Sequence, residues 1–212
     1  MTELPTIDEL SEALRDGLLA GSGPMAESNQ GEVHRVRYGG ADLVVKQPRG
    51  AGPLGWVNRW GLKREYAAYR RLAGLRGVPR CLGLVDGRWL VLEHVDGVPY
   101  RDARPGDEFH EALGRVLAEM HERGVAHGDL KRKANLLVKR DGQPVLLDFG
   151  AAVVRRPGFH PLNRRLFELL RQTDRNAWIK LKYGGYGGLS EADRQVYRPS
   201  RIERLLRRLR RR

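Results

Sequence analysis

The run from His127 to Gly150 constrains this chain more than any other stretch. It reads His127-Gly-Asp-Leu-Lys-Arg-Lys-Ala-Asn135, then the apolar Leu136 to Val138, Asp141-Gly142, the apolar Val145 to Leu147, and Asp148-Phe-Gly150. Two short apolar segments around an Asp-Gly pair predict a hairpin. That hairpin places the polar clusters 127–135 and 148–150 on its flanking loops. Polar groups on loops held by a packed scaffold are where binding and catalysis collect.

The rest of the chain supplies a context of two halves. Thr6 and Glu9 form a capping-box pattern, and Ile7, Leu10, Leu14 and Leu18 recur at helical spacing up to the Gly21–Gly23 break, which predicts an N-terminal helix in residues 1–23. Segments 32–38 and 41–47 flank Gly39-Gly40, and 81–85 and 88–95 flank Asp86-Gly87, so two hairpins are expected. Between them a helix is predicted over about 62–73, preceded by a Gly- and Pro-rich loop carrying Trp56 and Trp60. Residues 24–95 thus read as a small antiparallel sheet with one helix. After Gly97, Phe109, Ala112, Leu113, Val116, Leu117 and Met120 make one apolar helix face that stops at Gly124. Further helices are predicted near 162–170 and 174–181, with Ser190 and Ser200 as caps for the last two. Residues 96–199 form the helical half and 200–212 a tail.

Composition narrows the function classes. A chain of 212 residues with 41% hydrophobic and 31% charged residues folds rather than staying disordered, and cannot hold a large multidomain machine. Cys81 is the single cysteine, so no disulfide frames the fold. The first nine residues are acidic and lack an export-signal core, and no apolar run is long enough to span a bilayer. The expectation is a soluble, cytoplasmic protein.

The 127–150 run resembles the catalytic loop and metal-binding turn of protein kinases, in the right order and at nearly the right spacing. The resemblance extends over roughly residues 27–170. It implies an α+β, two-lobed protein-kinase-like fold with an abbreviated helical lobe, ATP between the lobes, and transfer of its γ-phosphate to a hydroxyl. Such transfer needs positioning and neutralisation of phosphate charge more than covalent help. By this resemblance Asp129 takes or orients the acceptor proton, Lys131 offsets charge on the moving phosphate, and Asn135 and Asp148 hold Mg²⁺, with Mn²⁺ as the alternative ion. Lys46, in Leu43-Val-Val-Lys46, corresponds to the phosphate-contacting lysine, and Glu65 to its ion-pair partner. Glu93 to Val95 matches the hinge that meets adenine, and Gly31 belongs to the phosphate-covering loop.

The departures matter as well. Gly128 replaces the arginine that anchors a phosphorylated activation segment, the Asp129–Asn135 loop is one residue longer than usual, and the phosphate loop keeps one glycine of three. No Ala-Pro-Glu element follows Gly150, so the peptide-docking part of a protein kinase is missing or replaced. A His-Gly-Asp loop with a short helical lobe is similar to bacterial lipopolysaccharide-core kinases acting on heptose or Kdo, and more distantly to the RIO kinases. The implied acceptor is a sugar hydroxyl on a lipid-linked envelope glycan. Serine or threonine on a protein is the alternative, and a non-catalytic nucleotide- or partner-binding module is the second.

Charge points to a location. The net charge is +13, and residues 201–212 alone contribute +6, from seven Arg and one Glu. Ile202, Leu205, Leu206 and Leu209 fall on one face of that tail, which predicts a basic amphipathic helix. An anionic membrane at the inner face of the cell is its expected partner, ahead of packing on the domain, with nucleic acid disfavoured. The Trp56–Trp60 loop is either a second membrane contact or, through Trp60, part of the core.

Overall fold

The computed structural model describes residues 4–20, 22–27, 31–185 and 187–198. Helix α1 spans Ile7–Arg15 and starts on the expected cap: the Glu9 carboxylate accepts from the Thr6 N–H at 2.9 Å, and the Glu9 N–H donates to the Thr6 hydroxyl at 3.4 Å. Strands β1 (Ala26–Glu27), β2 (Gly31–Tyr38), β3 (Ala41–Pro48), β4 (Cys81–Val85) and β5 (Trp89–Glu93) build one antiparallel sheet in the order β1-β2-β3-β5-β4. The two-residue strand period sorts its side chains. Leu43, Val45, Trp89 and Val91 pack under Leu10 and Leu14 of α1, whereas Val44 and Lys46 face the other way, into a cleft.

Helix α2 spans Gly52–Arg71, and this corrects the expected loop. The Gly-Pro sequence is a helix start: Pro53 sits in the first turn, where its missing N–H costs nothing. Gly55 is buried where any β-carbon would collide with the Gly50 carbonyl, so the glycine permits a tight entry. Trp60 is 51% exposed, with the Arg64 guanidinium 4.7 Å from its ring centre, so it is not a core residue.

Sheet membership changes after Glu93: β6 (Val98–Pro99) pairs with β8 (Leu136–Val138), which pairs with β9 (Pro144–Leu146). Helices α3 (Tyr100–Ala103) and α4 (Asp107–Glu122) lie between β6 and β8, as does β7 (Val125–Ala126), which pairs with β10 (Val153–Val154). Helix α5 runs unbroken over Pro161–Lys182, correcting the two helices expected there. Thr173 and Asp174 do not break it: the Thr173 hydroxyl bonds back to the Leu169 carbonyl at 3.0 Å, and Asp174 is fully buried for use elsewhere. Helix α6 (Glu191–Val196) begins on Ser190, whose hydroxyl accepts from the Asp193 N–H at 3.1 Å. Ser200 and the basic tail 201–212 lie outside the described residues.

One apolar core joins the two halves. Leu62 and Tyr69 of α2, Leu72 that caps it, Leu90 and Leu92 of β5, Leu113, Leu117 and Met120 of α4, Leu136, Leu146, Phe149 and Ala177 all belong to it. Each fully buried leucine contributes roughly 1.5–3 kcal/mol, so the sheet and the helices are fastened along the floor of the cleft.

Candidate active site

The cleft begins with a buried charge. The Lys46 ammonium lies 2.5 Å from the Glu65 carboxylate and 3.6 Å from that of Asp148. Strand β3 delivers the lysine from above and the middle of α2 the glutamate from the side. Burial alone would lower the Lys46 pKa, but Glu65 and then Asp148 outweigh it, and the ammonium is held charged above its ordinary value. Burial pushes the Glu65 carboxyl up, and the close Lys46 ammonium works against that rise.

Asp148 adopts a left-handed backbone (φ 60°), steadied by its carboxylate accepting the Gly150 N–H at 3.2 Å. Its neighbour Phe149 anchors the turn. That ring is fully buried, 4.9 Å from the Tyr69 ring and 4.8 Å from His127.

The 127–135 loop is held from beneath. His127 is fully buried; its Nε2–H donates to the Leu147 carbonyl at 2.9 Å and its Nδ1 accepts from the Asp129 N–H at 3.3 Å. It supports the loop. The residue that sequence reasoning missed is Asp174. Its carboxylate accepts from the N–H groups of His127 and Gly128, both at 2.8 Å, and from His121 Nε2 at 3.0 Å. A signal existed: Asp174 is a lone acid on the α5 face that also carries Phe167, Leu170 and Ala177. Gly128 has φ 81°, and a β-carbon there would lie 3.0 Å from Leu170 and 3.1 Å from the Ala151 carbonyl. A larger side chain therefore strains both backbone and packing.

The extra residue of the loop is absorbed by a 3-10 turn over Lys133–Asn135. Asn135 still reaches Asp129, its amide nitrogen donating to the Asp129 carbonyl at 3.1 Å and to the carboxylate at 3.5 Å. Arg132 Nε sits 3.2 Å from the same carboxylate. Lys131 is exposed at the rim and does not line the cleft.

Lys46, Asn135, Asp148, Glu93 and Val95 line one cavity of about 480 Å³, a fit for a nucleotide-sized ligand. Asp129 is not on its wall; it joins the site through Asn135. Gly31, Lys46, Glu65 and Asp148 line a contiguous space of about 280 Å³. At Gly31 any β-carbon would collide with the Gln47 carbonyl across the ladder, so only glycine lets β2 close on β3 there. A larger cavity, about 1050 Å³, lies behind Tyr69 and contains none of Lys46, Asn135 or Asp148. Size there is not matched by chemistry.

The donor set suits a hard cation. Asn135 spends its amide nitrogen on Asp129, which leaves its amide oxygen as an acceptor, and Asn135 and Asp148 line the same cavity. Among the described residues no three His, Cys, Asp or Glu side chains form a metal cluster of their own, so an ion here would share phosphate ligands.

Known proteins resemble this chain over part of its length. The phosphotransferase enzyme family matches residues 26–124. The chain is 27% identical over 171 residues to the 3-deoxy-D-manno-octulosonic acid kinase of Xylella fastidiosa strain M12, covering 70% of this chain and 68% of that one. It is 33% identical over 177 residues to the probable SapB synthase of Streptomyces coelicolor, 65% of this chain but 19% of that protein. A 65-residue stretch is 38% identical to a probable bifunctional tRNA threonylcarbamoyladenosine biosynthesis protein of Methanothermobacter thermautotrophicus, 31% of this chain and 12% of that one. The chain thus spans only about a fifth and an eighth of the length of those last two relatives. The family match and the kinase named among these relatives are similarities over part of the chain, and they accord with the mixed helix-and-sheet, kinase-like fold described above.

Proposed function

We propose that the chain moves the γ-phosphoryl group of ATP to a sugar hydroxyl on a lipid-linked envelope glycan such as lipopolysaccharide core. The observation that carries the reading is convergence: Lys46, Asn135 and Asp148, distant in sequence, meet in one cavity, with Glu65 and Asp129 bonded directly to them. The likeness to a sugar kinase over 68% of that kinase's length supports the acceptor class.

In this reading Glu93 and Val95 meet the adenine at the end of β5, and Gly31 lets the β2–β3 ladder close over the phosphates. Lys46, aimed by Glu65, neutralises the phosphate chain. Asn135 and Asp148 would hold Mg²⁺, or Mn²⁺, which supplies further neutralisation of the phosphates when bound. Asp129 accepts the proton of the attacking hydroxyl, and Lys131 stands at the rim where the acceptor arrives. A sugar suits the acceptor side because residues 155–160 run exposed straight into α5, which leaves that side open rather than built as a peptide cradle.

The test is labelled ATP with Mg²⁺ offered separately to envelope glycolipid, to generic protein and to no acceptor. Label in the glycolipid is the expected result. Label in protein alone replaces the acceptor with serine or threonine, and label in neither leaves a binding module.

A further inference from the structure

Two stretches of the surface expose large apolar side chains among arginines. At the start of α2, Leu54 is 76% exposed, Trp56 65%, Val57 51% and Trp60 51%. Ahead of and along α5, Phe159 is 91% exposed, Leu162 79%, Leu169 61% and Leu166 45%. Leu162, Leu166 and Leu169 fall at i, i+4 and i+7 and so make one stripe, an apolar helix face turned outward. Patches of this kind mark interaction sites.

The same stretches are strongly basic. Residues 49–64 hold Arg49, Arg59, Lys63 and Arg64 and no acid, and residues 149–169 hold Arg155, Arg156, Arg164 and Arg165 against one acid, Glu168, which pairs with Arg171. One hydrogen bond ties the two stretches together, and two more order the second. Arg64 donates to the Ala152 carbonyl at 3.0 Å, and Asn163 donates to the Val154 carbonyl at 3.1 Å while accepting the Arg156 N–H at 2.8 Å. They therefore flank the segment that leaves Asp148. Trp60 also borders the cavity that contains Lys46 and Asp148, so this face adjoins the phosphate end of the cleft.

We infer that this face seats on an anionic lipid surface, with the phosphate end of the cleft turned toward the headgroups. Charge complementarity selects the occupant. Eight cations against the single Glu168 repel a second copy of the same face, and they equally repel tail 201–212 with its seven arginines. Nucleic acid would satisfy the charge but leave Leu54, Phe159 and the α5 stripe in water. An anionic leaflet takes both, with arginines at the phosphates and tryptophan and phenylalanine at the acyl boundary. The inference rests on the proposed lipid-linked acceptor for its purpose and on the surface alone for its evidence. It places the membrane contact on the domain itself, beside the reacting end.

The test is cosedimentation of the full chain with vesicles of phosphatidylcholine alone or mixed with phosphatidylglycerol. The tail is present in every sample, so its contribution cancels between variants. Trp56→Ala, Phe159→Ala and Leu162→Ala combined should lower partition into the anionic vesicles about tenfold or more, with thermal unfolding and vesicle-free ATP hydrolysis unchanged. Arg164→Ala with Arg165→Ala should weaken binding at low salt and much less at high salt. Equal partition of the triple variant and the unaltered chain overturns the inference, as does indifference of the unaltered chain to phosphatidylglycerol. A vesicle-free dimer that the triple variant dissolves also overturns it, in favour of a second copy. If the variants lose vesicles as expected but no sugar is labelled, the surface stands and the acceptor assignment falls.

Discussion

The two ends of the cleft are built by different means. At the end proposed for the nucleotide, Lys46 and Glu65 are a buried charged pair, with side chains 17% and 6% exposed, held by side-chain contact. At the end proposed for the acceptor, Asp129 is 31% exposed and Arg132 74%, and the order comes from below, where buried Asp174 fixes the backbone of residues 127 and 128. Charge is thus preorganised at the first end, which under the proposed function would receive a triphosphate of fixed shape. Access is preserved at the second, which would admit a bulkier acceptor.

The comparison can be broken by mutation. Asp129→Asn should cut turnover roughly 10²- to 10⁴-fold with nucleotide binding nearly unchanged, read by steady-state kinetics and a fluorescent-nucleotide titration. A parallel loss of nucleotide binding would show that the two ends are not separate. Asp174→Ala strands two buried N–H groups and His121, and should cost about 3–5 kcal/mol in chemical denaturation as well as activity. A variant that is inactive yet fully stable would make Asp174 a participant in the chemistry.

Lys46→Ala removes the ammonium that works against the upward push of burial on Glu65, so the carboxyl rises further. An acid whose folded pKa is raised contributes full stability below its unfolded value, near 4.5, and loses it as pH rises toward the folded value. The gap in melting temperature between the variant and the unaltered chain should therefore widen from pH 4 to pH 8 by the equivalent of about 1–3 kcal/mol. A constant gap would mean that Glu65 is not sealed from water.

Far from the cleft, Asp193 gives a control of opposite sign. Burial works upward on its carboxyl, but bonds from Lys182 at 2.8 Å and Tyr183 at 2.6 Å, with Ser190, outweigh it and hold the pKa down. That stability is present above the unfolded value near 3.8 and is lost as pH falls through the depressed folded value. Asp193→Asn should cost about 1–2 kcal/mol at pH 7 and progressively less in acid. The smallest effect is at Cys81, whose thiol burial pushes up to about 12, so alkylating reagents at pH 8 should label it far more slowly than a free thiol.

What the sequence disclosed depended on whether a signal was local. The hairpins at Gly39-Gly40, Asp86-Gly87 and Asp141-Gly142, and the Thr6 cap, are written in neighbouring residues, and the element ends shifted by only a residue or two. The pairing of Lys46 with Glu65 was legible through its resemblance to a known strand-helix arrangement. The start of α2 was not, because Gly50-Ala-Gly-Pro reads as a loop until Gly55 is seen packed on the Gly50 carbonyl. Nor was the continuity of α5, since Thr173-Asp174 imitates a helix start. The role of Asp174 needs two N–H groups almost fifty residues away, and no local pattern states such a contact.

One helix ties the exposed tryptophans to the buried glutamate. A stretch of twenty residues, Gly52–Arg71, is a rod about 30 Å long, with Trp56 near its outer end and Glu65 two and a half turns further along. An α-helix resists compression along its axis, so it works as a lever. However its outer end is seated, that seating fixes where Glu65 meets Lys46.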